Sequence, residues 1–166
     1  MRIVMLAGLA LMASGPAIEP GEFLRKAVVE GLKEDGADPA FVKASIADKR
    51  ELFVLKCPIC EPVRQGFAEY GAGKAAEPAR GKGIPKDIVD DLKNPTRLTQ
   101  LQALERLIDR YVSSHYQRLK LNEEERKTLQ VKLEIGKKEG MRMKELGPQK
   151  DFGDFCPSCN GAAKAK

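Results

Sequence analysis

The sequence predicts a mainly α-helical protein: a small helical domain with a long antiparallel helical hairpin, in which two Cys-Pro-x-Cys knuckles are brought together. Three observations predict it. Apolar residues recur at spacings of three and four through most of the chain after Glu19, the period of a helix with one buried face. Helix-starting and helix-stopping residues punctuate those stretches at regular intervals. All four cysteines fall in two copies of one short pattern, Cys57-Pro58-Ile59-Cys60 and Cys156-Pro157-Ser158-Cys159.

The first 17 residues have the layout of a secretory signal. Arg2 gives a positive start, Ile3 to Ala13 is apolar apart from Gly8, and small residues lead to Ala17. Gly15 and Ala17 stand at the positions that permit cleavage after Ala17. The stretch lacks the polar positions of an amphipathic core helix, and it is too short for a stable membrane span. No cysteine follows it to take a lipid. The expectation is a signal peptide over 1–17 and a single helical domain over 18–166, exported to the periplasm or secreted, with no transmembrane anchor after cleavage. Cleavage removes only Arg2 among the charged residues, so the net charge falls from +5 to +4. Acidic and basic side chains are interleaved rather than blocked, which favours a solvated surface over a nucleic-acid partner. A protein partner of unspecified identity is the expectation.

The mature chain then reads in order. From Glu19 to Lys33, Phe23, Ala27, Val28, Gly31 and Leu32 share one helical face, with Pro20 in the first turn and Asp35-Gly36 at the end. Asp38 is placed to cap a second helix that starts at Pro39 and turns Phe41, Val42 and Ile46 inward. Leu52-Phe53-Val54-Leu55 is the most strand-like run, and it leads into the first CPxC turn. Val63, Phe67 and Tyr70 at helical spacing put Cys60 in the first turn of the next helix. Residues 71–84 form a flexible loop with glycines 71, 73, 81 and 83; Gly81-Lys82-Gly83 lacks the spacing of a phosphate-binding loop. Pro85 starts a short helix with Ile88, Val89 and Leu92. Asn94-Pro95 opens what reads as the longest element, with Leu98, Leu101, Leu104, Ile108, Tyr111, Val112, His115 and Leu119 along one stripe. His115, the sole histidine, is expected as a core or boundary residue. Asn122 and Glu125 form a capping box for a last long helix carrying Leu129, Leu133, Gly136, Gly140 and Met143. The short link before it predicts a hairpin with the preceding helix. Its two glycines mark the expected closest helix approach. Phe152 and Phe155 are expected to pin the tail down, and 162–166 to be disordered.

A Cys-x-x-Cys turn aims two sulfurs at a common centre, and two such turns supply the four thiolates of a tetrahedral zinc site. The second cluster continues Asn160-Gly161, and this six-residue stretch resembles the knuckle of zinc ribbons and rubredoxin-type metal sites. It departs from that pattern in Asn160, and the first cluster departs further in Glu61-Pro62. The resemblance implies Cys57, Cys60, Cys156 and Cys159 as metal ligands, with zinc as the cofactor. The 95 residues between the clusters are too many for a ribbon, so the site would close a whole domain. Four protein ligands leave no open position, which makes the site structural.

Two alternatives share these residues. In an oxidising compartment the cysteines would form two structural disulfides, and a cross-cluster bridge would stabilise by roughly 4.7 kcal/mol in the chain-entropy model. A thiol–disulfide oxidoreductase would use Cys57 to attack and Cys60 to resolve. No nucleophile–histidine–acid motif or HExxH occurs, and the carboxylates fall on helix surfaces. The expected role is a binding protein rather than an enzyme.

Overall fold

The computed structural model of the chain describes residues 18–54, 56–73 and 81–146. The signal segment, Leu55, most of the glycine loop, Phe152, Phe155, the second CPxC turn and the tail lie outside these, as does the side chain of Met143. Six α-helices follow one another: α1 (Pro20–Asp35), α2 (Pro39–Val42), α3 (Cys60–Ala72), α4 (Lys86–Lys93), α5 (Arg97–Arg118) and α6 (Glu123–Leu146). Helix α2 runs on into a π-helical turn, Lys43–Ala47, and a 3-10 turn spans Arg50–Leu52. No strand occurs among the described residues. The mainly helical class is as the periodicity predicts.

Local chemistry sets several helix ends. Pro20 opens α1, and Gly36 closes it in the left-handed conformation, φ 63°. The Gly36 amide donates to the Lys33 carbonyl at 3.1 Å and the Ala37 amide to Leu32 at 3.0 Å, the paired bonds of a Schellman cap. The Asp38 carboxylate accepts from the Ala40 and Phe41 amides at the start of α2. At α6 the capping box is closed in both directions: the Glu125 amide donates to Asn122 Oδ1 and the Asn122 amide to Glu125 Oε2, each at 2.9 Å. The strand-like run instead forms the 3-10 turn and an extended passage in which Leu52, Phe53 and Val54 are buried. Its hydrophobicity covers the base of α3, where Phe53 meets Phe67 at 6.4 Å between ring centroids. Among the described residues it finds no neighbouring strand.

Helix α1 is the centre of the core. Phe23, Leu24, Ala27, Val28 and Leu32 are almost wholly buried, and α3 and α5 pack on either side. Two glycines set these distances. A Cβ at Gly31 would stand 2.2 Å from Tyr111 Cδ1 of α5. One at Gly66 of α3 would stand 2.9 Å from the Arg25 carbonyl oxygen of α1. Helices therefore approach closely on α1 at Gly31 and Gly66, and what Gly136 meets is Ile59 of the CPxC turn rather than another helix.

Helix α5 buries Leu101, Leu104, Leu107, Ile108, Tyr111 and Val112, but Leu98 stands 57% exposed. Leu98 falls in the first turn of the helix. At 22 residues α5 is slightly shorter than α6, which has 24. Helices α5 and α6 are joined by a short link, yet they do not lie along each other as the expected hairpin. The stripe of α5 is already covered by α1 and α4. Helix α6 instead buries Leu129 and Leu133 in the core and touches α1, with Lys132 Nζ 3.2 Å from Glu19 Oε1 just before α1. It then crosses the first CPxC turn at Gly136.

Candidate functional site: the first CPxC turn

The turn is built by three local features. Lys56 adopts a left-handed conformation, φ 60°, which costs a non-glycine residue about 1–2 kcal/mol and swings the chain out of its extended path. The Cys57 amide donates back to the Val54 carbonyl at 3.3 Å. The Cys57 carbonyl then accepts from Glu61 at 3.0 Å, so the turn passes directly into α3, whose first residue is Cys60.

This arrangement places both cysteines at the positive end of α3. The Cys60 amide donates to Cys57 Sγ at 3.4 Å. An amide aimed at the sulfur and the helix N-terminus both stabilise a thiolate, the form that binds metals. Cys57, Ile59 and Cys60 are fully buried. The two cysteines are not joined to each other as a disulfide. Glu61 is the nearest carboxylate in the chain, but Arg64 grips it through Nη2 at 2.7 Å and Nε at 3.1 Å. That pairing holds the Glu61 carboxyl below its ordinary range and offsets its charge beside the sulfurs.

Two other helices close over the turn. A Cβ at Gly21 of α1 would lie 3.3 Å from Pro62. A Cβ at Gly136 of α6 would lie 2.9 Å from Ile59 Cδ1 and 3.7 Å from Pro58. Gly136 thus lets α6 settle on the turn. Cys57 and Cys60 are brought side by side as expected, whereas Cys156 and Cys159 lie outside the described residues. Among the described residues no group of three or more His, Cys, Asp or Glu side chains is arranged to hold an ion. No helix among them is long and apolar enough to cross a membrane.

His115 is a buried residue, 6% exposed, as its place on the stripe predicts. Its ring lies 5.2 Å from that of Phe23. Nδ1 is 3.2 Å from Glu30 Oε2 but makes no aligned hydrogen bond. Burial lowers the His115 pKa below its ordinary value of 6.5; Glu30 opposes the shift and Lys26 adds to it. The unfolded chain therefore takes up a proton at higher pH than the folded one. Stability is expected to be flat above pH 6.5, as far as this residue is concerned, and to fall as pH drops from 6.5 through the lowered folded value. Thermal midpoints across that window should decline in the wild type, and His115→Gln should remove part of the decline. Equal slopes in the two proteins would sink this assignment.

A second polar cluster carried no sequence signal. Asp35, 6% exposed, ends α1. It accepts from Arg110 Nη2 at 2.6 Å and from the Tyr111 hydroxyl at 2.7 Å. Burial, and then the bond to Asp35, push the Tyr111 pKa up beyond the alkaline range, so the hydroxyl stays a donor. The Asp35 carbonyl accepts from Gly83 at 2.6 Å. The Asp35 carboxylate and the Tyr111 hydroxyl are buried and satisfied by each other and by Arg110, which marks the cluster as structural.

Comparison with known proteins gives no match to a family model, a curated protein or a solved structure.

Proposed function

We propose that this chain is an exported helical binding protein held closed by a structural four-thiolate zinc site, with Cys57 and Cys60 as one half and Cys156 and Cys159 as the other. The observation that carries this reading is the joint burial of Cys57 and Cys60 at the start of α3, with the Cys60 amide directed at Cys57 Sγ. A preformed dithiol of this kind fits a soft, tetrahedral cation.

The path of α6 supports the pairing with the C-terminal cysteines. From Gly136 on the turn, α6 continues to Leu146, roughly 15 Å at 1.5 Å per residue. The ten residues from 147 to Cys156 span up to about 33 Å when extended. The chain is thus long enough to bring the second CPxC turn back over the first. The amino-terminal segment supports export. Complete burial of Cys57 weighs against thiol–disulfide exchange, which needs an accessible attacking sulfur.

Native and denaturing mass spectrometry of the mature protein, purified without added metal or reductant, tests the reading. The expected result is one bound zinc that is lost on denaturation, with four alkylatable thiols. Cys156→Ser should lose the metal as readily as Cys57→Ser. A metal-free protein lighter by four hydrogens would replace the zinc site with two disulfides. Peptide mapping would then separate cross-cluster bridges from two local pairs.

A further inference from the structure

We propose that α6 gates the Cys57–Cys60 dithiol: the sulfurs open to a metal ion or a thiol reagent when α6 lifts from Ile59, and Gly136 is the residue that lets the helix close. The gate rests on the reading of Cys57 and Cys60 as metal ligands for its purpose, whereas its geometry is that of the turn itself. Ile59 stands between the two cysteines and is as fully buried as they are. The α6 backbone closes on its side chain. A Cβ at Gly136 would lie 2.9 Å from Ile59 Cδ1, 3.5 Å from Ile59 Cγ1 and 3.7 Å from Pro58 Cβ. Any residue but glycine must displace either Ile59 or the helix.

Two observations make α6 the part that moves. The turn is fixed to the body on its other sides. The Cys57 amide donates to the Val54 carbonyl, and the Cys57 carbonyl accepts from Glu61 of α3. Pro62 lies against Gly21 of α1, where a Cβ would stand 3.3 Å away. Helix α6 is held more lightly. Among its described side chains Leu129 and Leu133 are buried in the core and Met141 partly so. Helix α5, of similar length, buries Leu104, Leu107, Ile108, Tyr111 and more. The ion pair from Lys132 to Glu19 lies at the surface and adds little. An element with few buried apolar contacts opens at a lower free energy than the core as a whole. The same helix leads on to Cys156 and Cys159. On the four-thiolate reading, its lifting draws the second pair away from the first and frees the ion.

Alkylation of the folded, reduced and chelator-treated full chain, followed at Cys57 and Cys60 by peptide mass spectrometry, tests the gate. Both thiols should react far more slowly than in the denatured chain. Gly136→Ala should speed both about fivefold or more, because the new methyl pushes α6 off Ile59. Ile59→Val removes Cδ1 and leaves Cγ1, 3.5 Å away, in ordinary contact. Gly136→Ala with Ile59→Val should therefore return to within about twofold of the wild-type rate. A general loosening of the fold would not be reversed by a second core truncation. An α6 that did not press on the turn would only gain helix propensity from alanine, and the rate would stay level or fall. In zinc-loaded protein, release to a chelator should follow the same order of variants. A chain purified without zinc overturns the metal reading and leaves the alkylation series to decide the gate. Thiols that react as fast as in the denatured chain, a rate not raised by Gly136→Ala, or a double variant as fast as that single would each overturn it.

Discussion

Replacing Gly31 with alanine is expected to destabilise the protein by about 3 kcal/mol, although the same change would stabilise an isolated helix. Alanine gains about 1 kcal/mol over glycine in a helix interior. Against this, the new methyl would lie 2.2, 2.5 and 2.9 Å from three ring carbons of Tyr111. Contact at such distances requires a shift of more than 1 Å on the scale of ordinary carbon–carbon separations, about 3.5–4.0 Å. Tyr111 has nowhere to go: it is 2% exposed, and its hydroxyl is tied to Asp35 at 2.7 Å. Overpacking costs typically about 1–3 kcal/mol, and a lost hydrogen bond to a charged group about 1.5–3 kcal/mol. Together these exceed the gain in helix propensity. The midpoint of thermal unfolding should fall by roughly 6–12 °C for a chain of this size. In a Tyr111→Leu background the same substitution should cost much less, because the ring is gone. A Gly31→Ala protein as stable as the wild type would show that α1 and α5 are not in this contact.

What the sequence made legible divides along the distance between interacting residues. The buried face of α1, the Asp38 cap, the Asn122–Glu125 box and Cys60 at a helix start all depend on neighbours within a turn or so, and each is where periodicity and capping chemistry placed it. Packing between helices was less legible. A short link after α5 suggested a hairpin, but the stripe of α5 was already taken by α1, 75 or more residues earlier in the chain. Gly136 was expected to admit a neighbouring helix; what it admits is Ile59 of the CPxC turn. That contact changes the geometry in favour of the cysteine site, because α6 runs toward the first cluster rather than along α5. Val131 and Ile135 fall off the apolar face of α6, which the spacing of Leu129, Leu133 and Gly136 defines. Asp35 had no local signal at all. Its Asp-Gly context accounts for a helix end without calling for Arg110 or Tyr111.

Asp35→Ala is expected to cost about 3 kcal/mol, and the loss should be shared with Tyr111 rather than added to it. A carboxylate in the last turn of a helix faces the negative end of the dipole, and this one is almost completely buried. It is stabilised by Arg110 and the Tyr111 hydroxyl, which occupy one carboxylate oxygen each. Removing the carboxylate leaves the Tyr111 hydroxyl buried without its acceptor. Tyr111→Phe instead removes one donor from the carboxylate, at about 2 kcal/mol for a bond to a charged group. The Arg110 side chain is 46% exposed, so water replaces much of what it contributes, and Arg110→Met should cost about 1 kcal/mol or less. The three residues form one network, and chemical denaturation of Asp35→Ala, Tyr111→Phe and the double variant measures how strongly it is coupled. The double variant should be more stable than the sum of the singles predicts, by about 1 kcal/mol or more. Costs that add to within about 0.5 kcal/mol would mean that Asp35 and Tyr111 act independently.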